Sequence, residues 1–367
     1  MAGYGKVAGP GNCARSIRIA ACVDAGGRRE QEAMSSVTKL EVGMREEGKD
    51  FRRHLLTWYD HHRRDLPWRA SRDPYRVWLS EIMLQQTRVA AVIEHYQEFL
   101  RRFPTVKKLA AARESSVLAA WSGLGYYRRA RMLHAAAKVI VRQHGGELPS
   151  TEQELRALPG IGRYTAAAIA SIAFGEPTAV VDGNVERVLQ RISGKQLSGK
   201  ALWTAAGKLL DPNRPGDFNQ AMMELGAVVC TPRAPACLTC PVVQFCTTRG
   251  EFAAKGKATP QKKREIHYVL DRRNEDHRNA EVFLLQRPQH ASLMPGMWEL
   301  PEITGTNGTG SPSFTLRHSI TVTDYTVQVW HCAAPSHVSG KWVSVKRLRQ
   351  VALTGLARKI LRKAAIL

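Results

Sequence analysis

Four cysteines, Cys230, Cys237, Cys240 and Cys246, fall within one 17-residue window. Nothing else in the chain constrains its folding so tightly, because thiolates at these intervals can wrap one compact centre. A disulfide framework spreads an even number of cysteines along a short secreted chain. Here the remaining three, Cys13, Cys22 and Cys332, are scattered singly. That is the distribution of a metal site in a reducing compartment. A zinc ion held by four thiolates competes with an iron–sulfur centre. Zinc sites usually pair two Cys-x-x-Cys knuckles, and only Cys237 and Cys240 form one.

The 367 residues suggest roughly two domains. They include 54 Lys and Arg against 32 Asp and Glu, a formal charge of +22. This excess points to a polyanion, with nucleic acid ahead of an anionic membrane surface. A hydrophobic fraction of 44% excludes wholesale disorder. No run of 18 apolar residues occurs, so neither a membrane span nor a membrane partner is expected.

Residues 1–44, rich in Gly, Ala and Ser, read as a disordered tail. Asp24, Glu30, Glu32 and Glu41 argue against a transit peptide, and Met34 and Met44 are alternative starts. Residues 45–246 read as an all-helical domain. Trp78, Ile82, Gln85, Val89, Val92 and Tyr96 recur at helical steps and predict one amphipathic helix. Residues 247–264 read as a basic linker. Residues 265–367 read as a smaller α+β domain, with strands at 267–270, 282–285 and 325–330 and a closing helix near 353–361.

Within the helical part, Leu158-Pro159-Gly160-Ile161-Gly162-Arg163-Tyr164-Thr165 sits between two helical segments. Gly160 and Gly162 permit a tight turn, and the next helix begins with free N–H groups and a positive dipole end. Together they suit a phosphate, held without regard to sequence. A plain helix–turn–helix connection explains the same glycines. Asp182 precedes a helix after the apolar Val180-Val181, where it is either an N-cap or a carboxylate aimed into a cleft. Glu81 lies among apolar neighbours in Trp78-Leu79-Ser80-Glu81-Ile82-Met83-Leu84-Gln85-Gln86-Thr87, which should raise its pKa. Gln86 and Thr87 carry donors and acceptors suited to base edges. Two carboxylates in unlike environments are what cleavage of a glycosidic bond needs, one to protonate the leaving group and one to steady the sugar cation.

The hairpin, the Asp182 motif and the cysteine spacing resemble the helix-hairpin-helix superfamily of DNA glycosylases. Trp78 to Thr87, with Leu124-Gly125-Tyr126-Tyr127, is similar to its adenine DNA glycosylases of the MutY type. The resemblance implies a [4Fe–4S] cluster on Cys230, Cys237, Cys240 and Cys246. It also implies removal of adenine opposite 8-oxoguanine or guanine in double-stranded DNA, during base excision repair. Glu81 would then protonate adenine at N7 and help direct water. Asp182 would steady the sugar cation, assisted by Tyr164 and Asn184. Tyr126 would wedge into the base stack, Gln86 and Thr87 would contact the opposing strand, and Trp68, Arg69 and Glu224 would line the adenine pocket. Tyr164 stands where the related endonuclease III group places its Schiff-base lysine, so strand cleavage should be weak or absent.

Gly296-Met297-Trp298-Glu299-Leu300-Pro301 resembles the opening of a Nudix/MutT-like fold. The glutamate-rich metal helix of a hydrolase does not follow, so lesion recognition is the implied role. His318, in Leu316-Arg317-His318-Ser319, occupies the place of the histidine in the family's Phe-Ser-His loop, whose aromatic and serine are replaced here. A monomer in the bacterial cytoplasm, associated with the nucleoid, is expected. The alternatives are an endonuclease III-like or mismatch pyrimidine glycosylase, and a non-catalytic DNA-binding iron–sulfur protein.

Overall fold

The computed structural model describes residues 47–251, 262–274, 280–303, 311–320 and 323–367. The stretch read as a tail lies outside them. The chain divides into Met1–Asp50, of which residues 47–50 are described and helical, and a compact unit from Phe51 to Leu367. No helix among the described residues is long and apolar enough to cross a membrane.

The first part of that unit is helical. After α1, helical over the described residues 47–62, come α2 (Pro74–Leu84), α3 (Val89–Arg102), α4 (Val106–Ala110), α5 (Glu114–Trp121) and α6 (Arg128–Gln143). They are followed by α7 (Glu152–Arg156), α8 (Arg163–Phe174), α9 (Gly183–Ser193), α10 (Gly199–Leu209) and α11 (Pro215–Val228). The side chains sort into two cores. One is built on α2, α3, α5, α6 and α8, with Trp78, Phe99 and Trp121 fully buried. The other is built on α1 and α9 to α11, around Phe51, Tyr59 and Phe218. Their junction is where the carboxylates meet.

The single amphipathic helix expected over Trp78 to Tyr96 is two helices. The chain breaks between Leu84 and Val89, where Gln86 takes φ 55°. The apolar period runs through the break because the turn spans about one helical turn of residues, so spacing alone does not reveal it.

The rest is α+β. Strands β1 (Lys262–Val269), β2 (Arg272–Arg273), β3 (Glu281–Gln286) and β4 (Trp298–Glu299) lead to β5 (Glu302–Ile303), β6 (Phe314–Ile320), β7 (Thr323–Trp330) and β8 (Lys341–Ser344). One sheet has the order β5-β1-β7-β6, with β1 and β7 parallel. The other has β3 flanked by β2, β4 and β8. Helix α12 (Gly355–Lys363) buries Leu356, Ile360 and Leu361 against them. β1 begins inside the stretch read as linker, because Lys262–Arg264 pair with Thr323–Tyr325 and extend the ladder. This region joins the helices by burying Met297 and Ala352 in the first helical core and through main-chain acceptors. Ser122 Oγ and Tyr127 OH both donate to the Leu353 carbonyl (2.8 and 3.1 Å), and Arg131 donates to that of Pro295 (2.6 Å).

Candidate active site

Helix α2 is buried almost all round, so Glu81 has no wet face to point to and is 7% exposed. Burial pushes its carboxyl up to about 7, against the lowering effect of a hydrogen bond from Tyr164, while the nearby Asp182 raises it further. The Tyr164 hydroxyl, from the first turn of α8, donates to Glu81 Oε2 at 2.7 Å. Tyr164 thus bonds Glu81 directly, because the start of α8 packs against α2.

Asp182 is both things the sequence allowed. It caps α9, with Oδ1 accepting from the backbone N–H of Asn184 (2.9 Å) and Val185 (2.8 Å). Its Oδ2 accepts from Asn184 Nδ2 at 3.1 Å. Burial raises its pKa, while these bonds and Arg187 favour the ionised form. Arg187 also bonds Asn184 Oδ1 (2.8 Å) and the carbonyls of Gly226 and Cys230. Gly226 is required here: a Cβ at that point of α11 would stand 2.6 Å from that of Asn184. A glycine inside a helix, about 1 kcal/mol worse than alanine, was the available signal for this close packing.

Glu81, Tyr164, Asp182 and Asn184 line one cavity of about 570 Å³, with Trp68, Arg69, Gln86, Thr87 and Glu224 in its wall. Trp68 is buried and packs edge-on against Tyr96. Glu224, 1% exposed, has both oxygens taken: Arg64 bonds it from its main chain and guanidinium, and Arg69 bonds it at 2.8 Å. These bonds overcome burial and hold its carboxyl down at about 2. Its immediate partners are therefore arginines, and Arg64 is a wall residue the sequence reading missed.

Gly160 adopts φ 75° in the turn between α7 and α8, where a Cβ would lie 2.4 Å from that of Met132. Gly162 is the N-cap of α8, with no side chain capping it and open space beside it. Tyr126 is 48% exposed at φ 46°. It lines a second cavity, of about 820 Å³, together with His318 and Ser319. His318 lies within β6 opposite Tyr325, and burial and Lys359 lower its pKa.

The four clustered cysteines line one small pocket of about 30 Å³. Arg191 donates to Cys230 Sγ at 3.2 Å, and the Arg249 N–H to Cys246 Sγ at 3.4 Å. Among the described residues no three His, Cys, Asp or Glu side chains close on a point as a single ion requires. An all-sulfur donor set met by N–H groups fits a thiolate-bound metal centre.

The helical hairpin and the paired carboxylates define a helix-hairpin-helix glycosylase fold. A family model of HhH-GPD superfamily base excision DNA repair proteins matches residues 79–202. A solved thermostable thymine-DNA glycosylase is 33% identical with a TM-score of 0.53, covering 56% of this chain and 97% of that one. The adenine DNA glycosylase of Schizosaccharomyces pombe is 34% identical over 335 residues, 74% of this chain and 71% of that one. The human adenine DNA glycosylase is 40% identical over 316 residues, 69% of this chain and 57% of its own. The chain belongs to the adenine DNA glycosylase family. It spans about half the length of the mammalian relatives it matches.

Proposed function

We propose that the protein is a monofunctional DNA glycosylase that hydrolyses the bond between adenine and deoxyribose where adenine is mispaired with 8-oxoguanine or guanine. The observation that carries this reading is the shared cavity of Glu81 and Asp182. The adenine is turned out of the stack, at a cost that a mispair reduces. Glu81, held neutral by burial, donates its proton to adenine N7. The C1′–N9 bond breaks and its electron pair leaves with the base. The ionised Asp182 faces the positive charge left on the sugar, and Asn184 fixes its orientation. Water adds at C1′ and returns its proton to Glu81. No amine stands at Tyr164 to form a Schiff base, so the sugar–phosphate backbone stays intact.

Duplex phosphate would be met by the N–H groups at the start of α8. Cys230, Cys237, Cys240 and Cys246 would hold a [4Fe–4S] cluster, which would tie the ends of their loop together. Brown protein with violet-edge absorbance that bleaches on iron chelation is the expected result; a colourless zinc protein would contradict it. The α+β region is read as a MutT-like module, with His318 and Ser319 turned to the base opposite adenine.

The test is a labelled duplex with adenine opposite 8-oxoguanine. Strand cleavage only after alkali supports the proposal. Cleavage without alkali would indicate a lyase, and none would indicate a binding protein. The hairpin gives a separate expectation. Gly160→Ala should destabilise the fold by about 1–3 kcal/mol, through strain and the Met132 clash. Gly162→Ala should unfold within about 0.5 kcal/mol of the parent yet bind duplex more weakly. Equal effects on stability and binding in both variants would remove the hairpin from the interface.

A further inference from the structure

We infer that Arg129 is a positioning residue that holds two base-facing turns, at Gln86 and Tyr126, in fixed relation to the helix carrying Glu81. The inference deepens the glycosylase reading and rests on it.

Arg129 leaves the first turn of α6 and reaches back across the site. Its Nη1 donates to the carbonyls of Ile82 (2.8 Å), Met83 (3.0 Å) and Gln85. These are the open carbonyls at the C-terminal end of α2, where a cation also meets the negative end of the helix dipole. Nη2 donates to Thr87 Oγ1 (3.1 Å) and towards the carbonyls of Leu124 and Gly125 (both 3.3 Å). The same guanidinium lies 5.3 Å from the ring centroid of Tyr126 and 5.5 Å from that of Trp121.

The pattern is specific. Gln85 and Thr87 flank Gln86, and Leu124 and Gly125 precede Tyr126. Gln86 (φ 55°) and Tyr126 (φ 46°) both sit in the left-handed region that side chains other than glycine adopt at a cost. Both are exposed, and both line one cavity of about 410 Å³ with Arg129 between them. Two unfavourable turns on segments 40 residues apart are thus braced by one side chain. Among the described residues, all of its hydrogen-bond acceptors are neutral. A half-buried cation without a counter-ion is an expensive way to fill space, but a planar fork is the one side chain that can satisfy two turns and stack on a ring at once. Prepaying the order of Gln86 and Tyr126 leaves less to lose when they meet the bases.

The experiment uses the full chain and a duplex with 2-aminopurine beside the mispaired adenine, whose fluorescence rises on unstacking. Unstacking, adenine release and affinity for a fully paired duplex are read separately. Arg129→Met should cut the rate of unstacking at least tenfold while changing paired-duplex affinity less than threefold. Arg129→Lys keeps the charge and should not restore unstacking; it carries the test if the Met variant melts early. The cycle with Tyr126→Ala is decisive: if Arg129 acts through Tyr126, the double variant unstacks no more slowly than Tyr126→Ala alone. Multiplying losses, wild-type unstacking by the folded Arg129 variants, or a wild type that unstacks nothing would each overturn the inference. Wild-type unstacking without adenine release, with the Arg129 effect intact, would overturn the glycosylase reading and leave this one standing.

Discussion

Glu81→Gln should slow adenine release about 10³- to 10⁴-fold under single-turnover conditions, with duplex affinity nearly unchanged. The amide fills the same space but has no acidic proton to give. On the proposed mechanism the working form is the protonated acid, and burial brings the carboxyl up to about 7. The rate should therefore fall as pH rises through about 7. The same shift predicts a gain in stability. A carboxyl raised from 4.5 to about 7 favours folding below the lower value, and that advantage is lost as pH rises through the upper one. The glutamine variant never carries the buried charge. At pH about 8 it should unfold at higher denaturant than the parent, by on the order of 2–3 kcal/mol, and near pH 4.5 the two should coincide. A variant that is slow but no more stable would place the Glu81 carboxylate in contact with water.

Asp182→Asn should cost about 10²- to 10³-fold or more in the same assay. The substitution separates the two roles of this side chain. Asparagine caps a helix as well as aspartate does, so the bonds to the N–H groups of Asn184 and Val185 survive. What disappears is the charge that the proposed mechanism turns to the sugar, together with the bond Oδ2 accepts from Asn184 Nδ2, since an amide nitrogen cannot accept it. Unfolding should shift by less than about 1 kcal/mol. Retention of a tenth of the parent rate would reduce Asp182 to a cap.

These two carboxylates were legible in the sequence because each sits in a short stretch whose composition states its surroundings. Apolar neighbours announce the burial of Glu81, and a helix start announces the orientation of Asp182. What the sequence hid depends on long-range closure. The ring of donors around Glu224 comes from Arg64 and Arg69, 160 and 155 residues away in the chain. The hydroxyl of Tyr164 reaches Glu81 across 83 residues. The break between α2 and α3 was concealed by an uninterrupted apolar period, although Gln86 and Thr87 were singled out for their chemistry. Strand β6 was concealed for the opposite reason. Thr315, Arg317, His318 and Ser319 are polar, and Leu316 is the buried side chain among its described ones. As an edge strand its pairing is carried by the main chain with β7.

The moorings between the helices and the α+β region are asymmetric in a way that bears on drift. Ser122, Tyr127 and Arg131 supply side chains, but what they grip at Leu353 and Pro295 is peptide oxygen. A peptide oxygen is indifferent to the identity of the residue that bears it. Replacing the side chain of Leu353 or Pro295 therefore leaves these three bonds their acceptors, whereas Met297 and Ala352, buried among the helices, hold the same joint by packing.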